Sequence, residues 1–266
     1  MIHLRSVRLD AAAAGSGYPF DVPAVRELGT VEFEAPVTFL VGENGSGKST
    51  FLEGLASAVE AKAAGRADLA RDETLGPADR LGRALRPSWE SRTRRGFYLR
   101  AEDFFGFALR VEEMKAHLRG ELARLEAEYE GRSPLELARV SAPFSRDLAD
   151  LQKRYGEGLD SGSHGENFLA FFRNRFVPGG LYLLDEPEAP LSPLRQLAFL
   201  SMLKGMVEQE AQFVIATHSP ILMAFPGAVI LGFDSGAPRP VPYDEVEHVG
   251  LTRDFLNDPE RFLRRL

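Results

Sequence analysis

Gly42-Glu43-Asn44-Gly45-Ser46-Gly47-Lys48-Ser49-Thr50 follows the apolar run Val37-Thr38-Phe39-Leu40-Val41 and leads into a segment that reads as helix from Lys48 to about Ala64. The stretch fits G-x-x-x-x-G-K-[ST], and strand, glycine loop and helix is the context that makes this pattern a site. The glycines let backbone N–H groups turn inward around an anion. The helix N-terminus adds its partial positive charge. On this reading Lys48 reaches the β- and γ-phosphates of a nucleotide, and the Ser49 hydroxyl binds Mg2+. The plain alternative is a glycine turn before a helix. Three later segments weigh against it.

The chain of 266 residues is long enough to bury a substantial core, as one domain or a domain with a lobe. Hydrophobic residues make up 44% and charged residues 27%, the balance of a soluble globular protein. No apolar run approaches the roughly 20 residues needed to cross a bilayer. Met1-Ile2-His3-Leu4-Arg5 alternates instead of opening a signal-peptide core. The absence of cysteine excludes disulfides and thiolate metal sites and fits a reducing cytoplasm. A net charge of -7 argues against diffuse attraction to nucleic acid or to an acidic membrane.

Along the chain, Ile2–Leu9, Thr30–Phe33 and Val37–Val41 read as short strands, and an N-terminal antiparallel β subdomain is expected. Gly76-Pro77 and Gly82 read as turn signals after the first helix. Between Arg80 and Arg100 there are seven arginines and one acid, Glu90. The plain reading of that window is a solvated face, and the functional one a phosphate or partner contact. Phe97–Leu99 and Phe107–Val111 read as strands. Met114, Leu118, Leu122, Leu125 and Tyr129 then form one helical stripe. A second helical segment carrying Leu148, Leu151 and Tyr155 reads as interrupted near Pro143. Residues from about 106 to 160 thus read as a helical lobe inserted into a single α/β domain spanning 1–266. Leu181–Leu184, Phe213–Ala216 and Ala228–Leu231 read as strands and Leu194–Glu208 as a helix. Strands alternating with helices imply a mostly parallel sheet covered on both faces. In the tail, Phe255, Leu256, Phe262 and Leu263 are expected to pack.

Two of those strands end in chemistry. Leu181-Tyr182-Leu183-Leu184-Asp185-Glu186-Pro187 places two carboxylates at a strand end. Asp185 is the candidate for holding Mg2+, and Glu186 for orienting the attacking water. Adjacent acids can equally just end a strand in a polar turn. Phe213-Val214-Ile215-Ala216-Thr217-His218-Ser219-Pro220 runs into a second polar turn. His218 there is a candidate to bond a γ-phosphate or the attacking water, against the plain reading of a structural histidine. In a parallel α/β sheet such strand ends converge on one edge, where ligands bind.

Together these segments resemble the ABC-type ATPases, and more closely their SMC-like and RecF-like branch than the transporter subunits. GENGSGKST looks like the Walker A loop, LYLLDEP like Walker B with its catalytic glutamate, and THSP like the switch-histidine loop. The family also carries a signature motif at a helix start. Ser163-His164-Gly165-Glu166, nineteen residues before Asp185 and leading into a helix Asn167–Phe176, resembles the SHGE variant of small stand-alone bacterial ATPases. Its plain reading is a helix cap with capping-box spacing. The segment Thr252–Glu260 is similar to their C-terminal pattern.

The resemblance implies a P-loop NTPase fold, ATP and Mg2+ as ligands, and Lys48, Glu186 and His218 as catalytic residues. It also implies an ATP-dependent homodimer in which the loop of one subunit faces Ser163–Gly165 of the other. Two departures stand out. The family's metal-sensing glutamine has no obvious counterpart; Glu102 is the best candidate, against an exposed acid in a turn. Ser192 falls where transporter subunits often carry an aspartate. Tyr18 and Phe20 are candidates to stack on adenine, against ordinary loop or core aromatics. The leading expectation is a cytoplasmic ATPase with an unidentified partner protein and no segment inserted in a membrane. The alternatives are the ATP-binding subunit of a transporter and an ATP-gated DNA clamp using the arginine window.

Overall fold

The computed structural model describes residues 1–64, 76–131, 133–155, 164–234 and 236–264. The chain divides into two compact units, Glu102–Arg175 forming one and the remainder the other.

The larger unit begins with β1 (Leu4–Leu9), α1 (Pro23–Arg26), β2 (Thr30–Glu32) and β3 (Val37–Val41). It continues with α2 (Lys48–Ala58), α3 (Gly76–Ala84), β4 (Leu85–Trp89) and β5 (Gly96–Arg100). After the smaller unit come β6 (Leu181–Asp185), α7 (Pro193–Glu208), β7 (Gln212–Ala216), α8 (Pro220–Met223) and β8 (Val229–Gly232). The chain ends with β9 (Arg239–Pro240), a 3-10 turn (Tyr243–Glu245), α9 (Glu247–Asn257) and α10 (Pro259–Leu263).

Two sheets result. The order β2-β1-β4 forms an antiparallel sheet, and β5-β6-β7-β3-β8-β9 a second, parallel except at β9. Every residue of β3, β6 and β7 is buried. That is why these strands are continuous apolar runs and do not alternate. Gln212 ties the two sheets together. Its side-chain oxygen accepts from the N–H groups of His3 and Leu4, each at 2.8 Å, and its amide donates to the Leu4 carbonyl at 2.9 Å. A buried polar side chain is stable there because its bonding groups are satisfied.

Several local expectations are corrected. The first helix ends at Ala58, not near Ala64. Glu60 turns to φ 56°, and the following residues pair with β5: Ala64 N–H donates to the Tyr98 carbonyl at 2.7 Å and Tyr98 N–H to that of Lys62 at 2.9 Å. An open edge of β5 thus captures the chain that helical composition favoured. Gly82 is not a turn but lies inside α3, where an added Cβ would come 2.5 Å from Ser57 Oγ on α2. The glycine permits close approach of two helices. Five of the seven arginines are engaged within the protein. Arg86 pairs with Asp10, Arg92 with Glu60 and Arg100 with Glu53, while Arg80 and Arg95 bond the carbonyls of Tyr18 and Pro178.

The smaller unit is helical: α4 (Ala101–Glu128), α5 (Pro134–Tyr155) and α6 (His164–Arg175). Phe107–Val111, expected as a strand, is part of α4. After Ala101 and Phe104 near its start, the described buried positions of α4 are Val111, Lys115 and Leu118, continued by half-buried Leu122 and Leu125 and, just past its end, Tyr129. These alternate four and three apart, as a helix seam requires, and Met114 falls off it and is exposed. Lys115 takes the seam position by folding its ammonium onto Glu112 at 2.8 Å. The α5 helix runs through Pro143 without interruption. Proline removes one backbone bond, and the long helix on either side keeps the rest. Phe104, Phe168, Phe171 and Phe172 pack edge to face in the core of this unit.

The tail also departs from expectation. Phe255, Leu256 and Leu263 are exposed; Phe255 meets Phe262 at 5.7 Å between ring centres. Burial falls instead on Val246 and Val249 at the start of α9. Among the described residues no helix is long and apolar enough to cross a membrane.

Candidate functional site

Sheet register assembles the site. Arg100 lies opposite Asp185, Asp185 opposite Ala216, Ala216 opposite Leu40, and Leu40 opposite Leu231. This row marks the edge at which the parallel strands end. The next residues of each strand leave the sheet together: Glu186 after β6, Thr217 and His218 after β7, Gly42 after β3, and Asp234 beyond β8.

The loop from Gly42 to Thr50 wraps the N-terminus of α2. Gly42 and Gly47 hold φ of 148° and 103°, which side chains rarely allow. Among the described residues no side chain caps α2, so its N-terminal N–H groups face the loop interior. Lys48 is buried and donates its Nζ to the carbonyls of Gly42 at 2.7 Å and Glu43 at 2.9 Å. Burial pulls its ammonium below the ordinary lysine value, and Glu186, Asp234 and Asp185 oppose that pull. Glu43 N–H donates to Asp234 Oδ1 at 2.6 Å, fixing the loop entrance. Ser46 Oγ is buried without a hydrogen-bond partner among the described residues.

Ser49 Oγ donates to Asp185 Oδ1 at 3.2 Å. The Asp185 side chain is 6% exposed, with Arg100 Nε at 3.9 Å from Oδ2. Burial pushes its carboxyl up to about 7, against the opposing pulls of the Ser49 hydroxyl and Arg100. A hydroxyl and a buried carboxylate this close are hard oxygen donors of the kind Mg2+ takes, and the pair fits that ion. Arg100 is in turn held by Glu53 at 2.8 Å.

Glu186 adopts φ 50°, a left-handed conformation that costs a non-glycine residue on the order of 1 kcal/mol. Its N–H donates to the Ala216 carbonyl at 2.9 Å, and its Oε1 stands 3.7 Å from His218 Nε2. His218 is held from two sides. Its N–H donates to Glu188 Oε1 at 2.7 Å, and its Nδ1 meets His248 Nε2 at 3.2 Å. His218 Nε2 is buried with no hydrogen-bond partner among the described residues. Burial, then the nearby Lys48, lowers its pKa, which favours the neutral ring, while Glu186 and Glu43 pull the other way. Glu188 is itself buried, which raises its pKa.

The sequence-predicted residues therefore divide. Gly42–Thr50, Asp185, Glu186 and His218 come together. Glu102 belongs to the helical unit, as do Gly165 and Glu166; His164 begins α6, and Ser163 lies outside the described residues. Of the two aromatics, Phe20 is buried in the core, whereas Tyr18 is half exposed with its hydroxyl 3.3 Å from Thr50 Oγ1. Sequence reading missed Asp234, Arg100, Glu188 and His248. Asp234 had a signal, since it ends an apolar strand run as Asp185 does. Arg100 was hidden in a basic window, and nothing marked His248.

Residues 24–75, which include the glycine loop, match a family described as an AAA domain. No curated protein matches the chain. Among solved structures it is similar to an ATP-binding subunit of an ABC transporter, with 19% identity, TM-score 0.48 and coverage of 95% of this chain and 93% of that one. It is also similar to the Smc head domain of Pyrococcus furiosus, with an extended coiled coil bound to the C-terminal domain of ScpA (13%, TM-score 0.44, 97% and 99% covered). A third is the SMC head domain of Thermotoga maritima (17%, TM-score 0.44, 91% and 99% covered). Sheet order and glycine loop together define the class: an α/β domain with a mostly parallel central sheet and a P-loop at the end of its β3 strand, within the segment that matches the AAA domain.

Proposed function

We propose that this protein binds ATP with Mg2+, hydrolyses it, and dimerises around the nucleotide. The observation that carries this reading is the convergence of Lys48, Ser49, Asp185, Glu186 and His218 from three neighbouring strand ends, with Ser49 Oγ 3.2 Å from Asp185.

The loop N–H groups and the α2 N-terminus bind the phosphates, and Lys48 exchanges its two loop carbonyls for β- and γ-phosphate oxygens. Ser49 and Asp185 would hold Mg2+, which when bound would neutralise phosphate charge. Glu186 accepts a proton from the attacking water and aligns it. His218 donates from Nε2 to the γ-phosphate; that buried nitrogen has no hydrogen-bond partner among the described residues. Tyr18 stacks on the adenine; its exposed ring beside Thr50 supports that role and Phe20 in the core does not fit it. Phosphoryl transfer needs little more than positioning and charge stabilisation, which this set supplies. Ser163, His164, Gly165 and Glu166 would contribute from the second subunit, and Glu102 would be the further residue for the metal. The site acts in the cytoplasm with a partner protein.

The test is Glu186→Gln, which keeps shape and removes the base. With saturating Mg-ATP the variant should release no phosphate and run as a dimer in light scattering. A variant that stays monomeric overturns the dimer, and one that turns over at the wild-type rate overturns Glu186 as base.

A further inference from the structure

His248 lies in the tail, outside every motif, yet it touches His218. Its placement is rigid. It is the second residue of α9, flanked by Val246 and Val249, both buried. The preceding 3-10 turn is pinned to the histidine loop, since Tyr243 OH donates to the Pro220 carbonyl at 3.1 Å. The two imidazoles meet Nδ1 to Nε2 at 3.2 Å, with ring centres 4.9 Å apart in an edge arrangement.

The proton in that bond can be placed by electrostatics. His218 Nε2 faces Glu186 Oε1 at 3.7 Å. A γ-phosphate brought to the loop would add further acceptor oxygens. A lone pair on Nε2 would meet acceptors alone and be repelled; an N–H there is attracted. A neutral imidazole carries one proton, so a proton on Nε2 leaves Nδ1 as acceptor. The partner of Nδ1 must then donate.

We infer that His248 is a positioning residue for His218: it donates its Nε2–H to His218 Nδ1 and thereby fixes the tautomer that presents Nε2–H to the nucleotide. Burial of His218 favours the singly protonated ring, in which the choice of tautomer matters. Lys48 and Glu43 are the other charged groups acting on His218, and neither contacts Nδ1. The role presupposes that His218 meets the γ-phosphate. It makes the tail part of the catalytic apparatus: a shift of α9 away from the loop would release the ring to the wrong tautomer.

His248→Ala is a tolerable test. The residue also lines a cavity of ≈ 520 Å³ with Gly42, Asp234, Arg239 and Glu245, so truncation opens onto existing space. The full chain carries five histidines, few enough to resolve in long-range proton–nitrogen spectra, with His218→Gln assigning the relevant signal. In the wild type His218 should show the Nε2–H pattern. In His248→Ala it should move toward Nδ1–H or an exchanging mixture. Under Mg-ATP, kcat should fall about tenfold with KM changed by less than about twofold, the signature of an interaction made in the transition state. His248→Gln, whose amide can donate from a similar position, should restore most of kcat. Adding His248→Ala to His218→Ala should cost nothing more. An Nδ1–H pattern in the wild type, or unchanged tautomer and kcat in folded His248→Ala, overturns the inference. A wild type that hydrolyses no ATP would refute the ATPase reading, while the tautomer spectra would still decide the role of His248.

Discussion

Asp185→Asn should stabilise the nucleotide-free protein, by an amount that depends on pH in a defined direction. The Asp185 carboxyl has an ordinary value of 3.8 and is pushed up to about 7 by burial. Below 3.8 both folded and unfolded chains are protonated there, and the residue adds no pH dependence. Between 3.8 and about 7 the unfolded chain ionises while the folded one holds its proton, so stability falls as pH rises. Above that window both are ionised, and the folded state bears the full cost of a buried anion, about 4 kcal/mol. Asparagine keeps the shape, can still accept from Ser49, and has no charge to bury. Urea denaturation of both proteins at a series of pH values isolates the residue, because other titrating groups cancel in the difference. The variant should gain about 4 kcal/mol at pH 8, and the gain should shrink toward zero near pH 4. Mg2+ with ATP should stabilise the wild type and narrow the gap from the other side. A gain independent of pH, or no gain at pH 8, would refute the assignment of Asp185 as a buried carboxylate poised for a cation.

Three further outcomes follow from the geometry. Gly42→Ala puts a Cβ 2.6 Å from Asp234 Oδ1 at φ 148°, displacing the carboxylate that holds the Glu43 N–H. Nucleotide affinity measured by calorimetry should drop about tenfold or more. Gln212→Ala leaves the His3 and Leu4 N–H groups and the Leu4 carbonyl without their buried partner, so stability should fall about 3 kcal/mol, read as a Tm decrease of roughly 5–10 °C. Tyr18→Ala should raise the ATP KM about tenfold, and Tyr18→Phe, which loses only the bond to Thr50, should not.

The parts of this molecule legible in the sequence are those whose signal is local. A glycine loop needs its residues in order because one stretch of backbone surrounds one anion. The buried strands β3, β6 and β7 announce themselves because both faces are covered, which demands unbroken apolar runs. The carboxylates at Asp185 and the histidine at 218 stand out because each ends such a run. Where local preference met tertiary competition, the reading failed. Residues 61–64 were helical in composition but paired with β5, and Lys115 took a seam position that apolarity assigned to Met114.

What the sequence by itself determined is therefore the list of chemical groups and the strands that end in them. Only the tertiary structure decided which groups meet. The row Arg100, Asp185, Ala216, Leu40 and Leu231 exists because parallel strands from distant parts of the chain share one register. That register brings Asp234 to Glu43 and Arg100 to Asp185. His248 reaches His218 by a different route, through two buried valines and a tyrosine that seat the tail on the histidine loop. No spacing rule records such contacts, because the free energy that makes them comes from packing between segments and not from the residues between them.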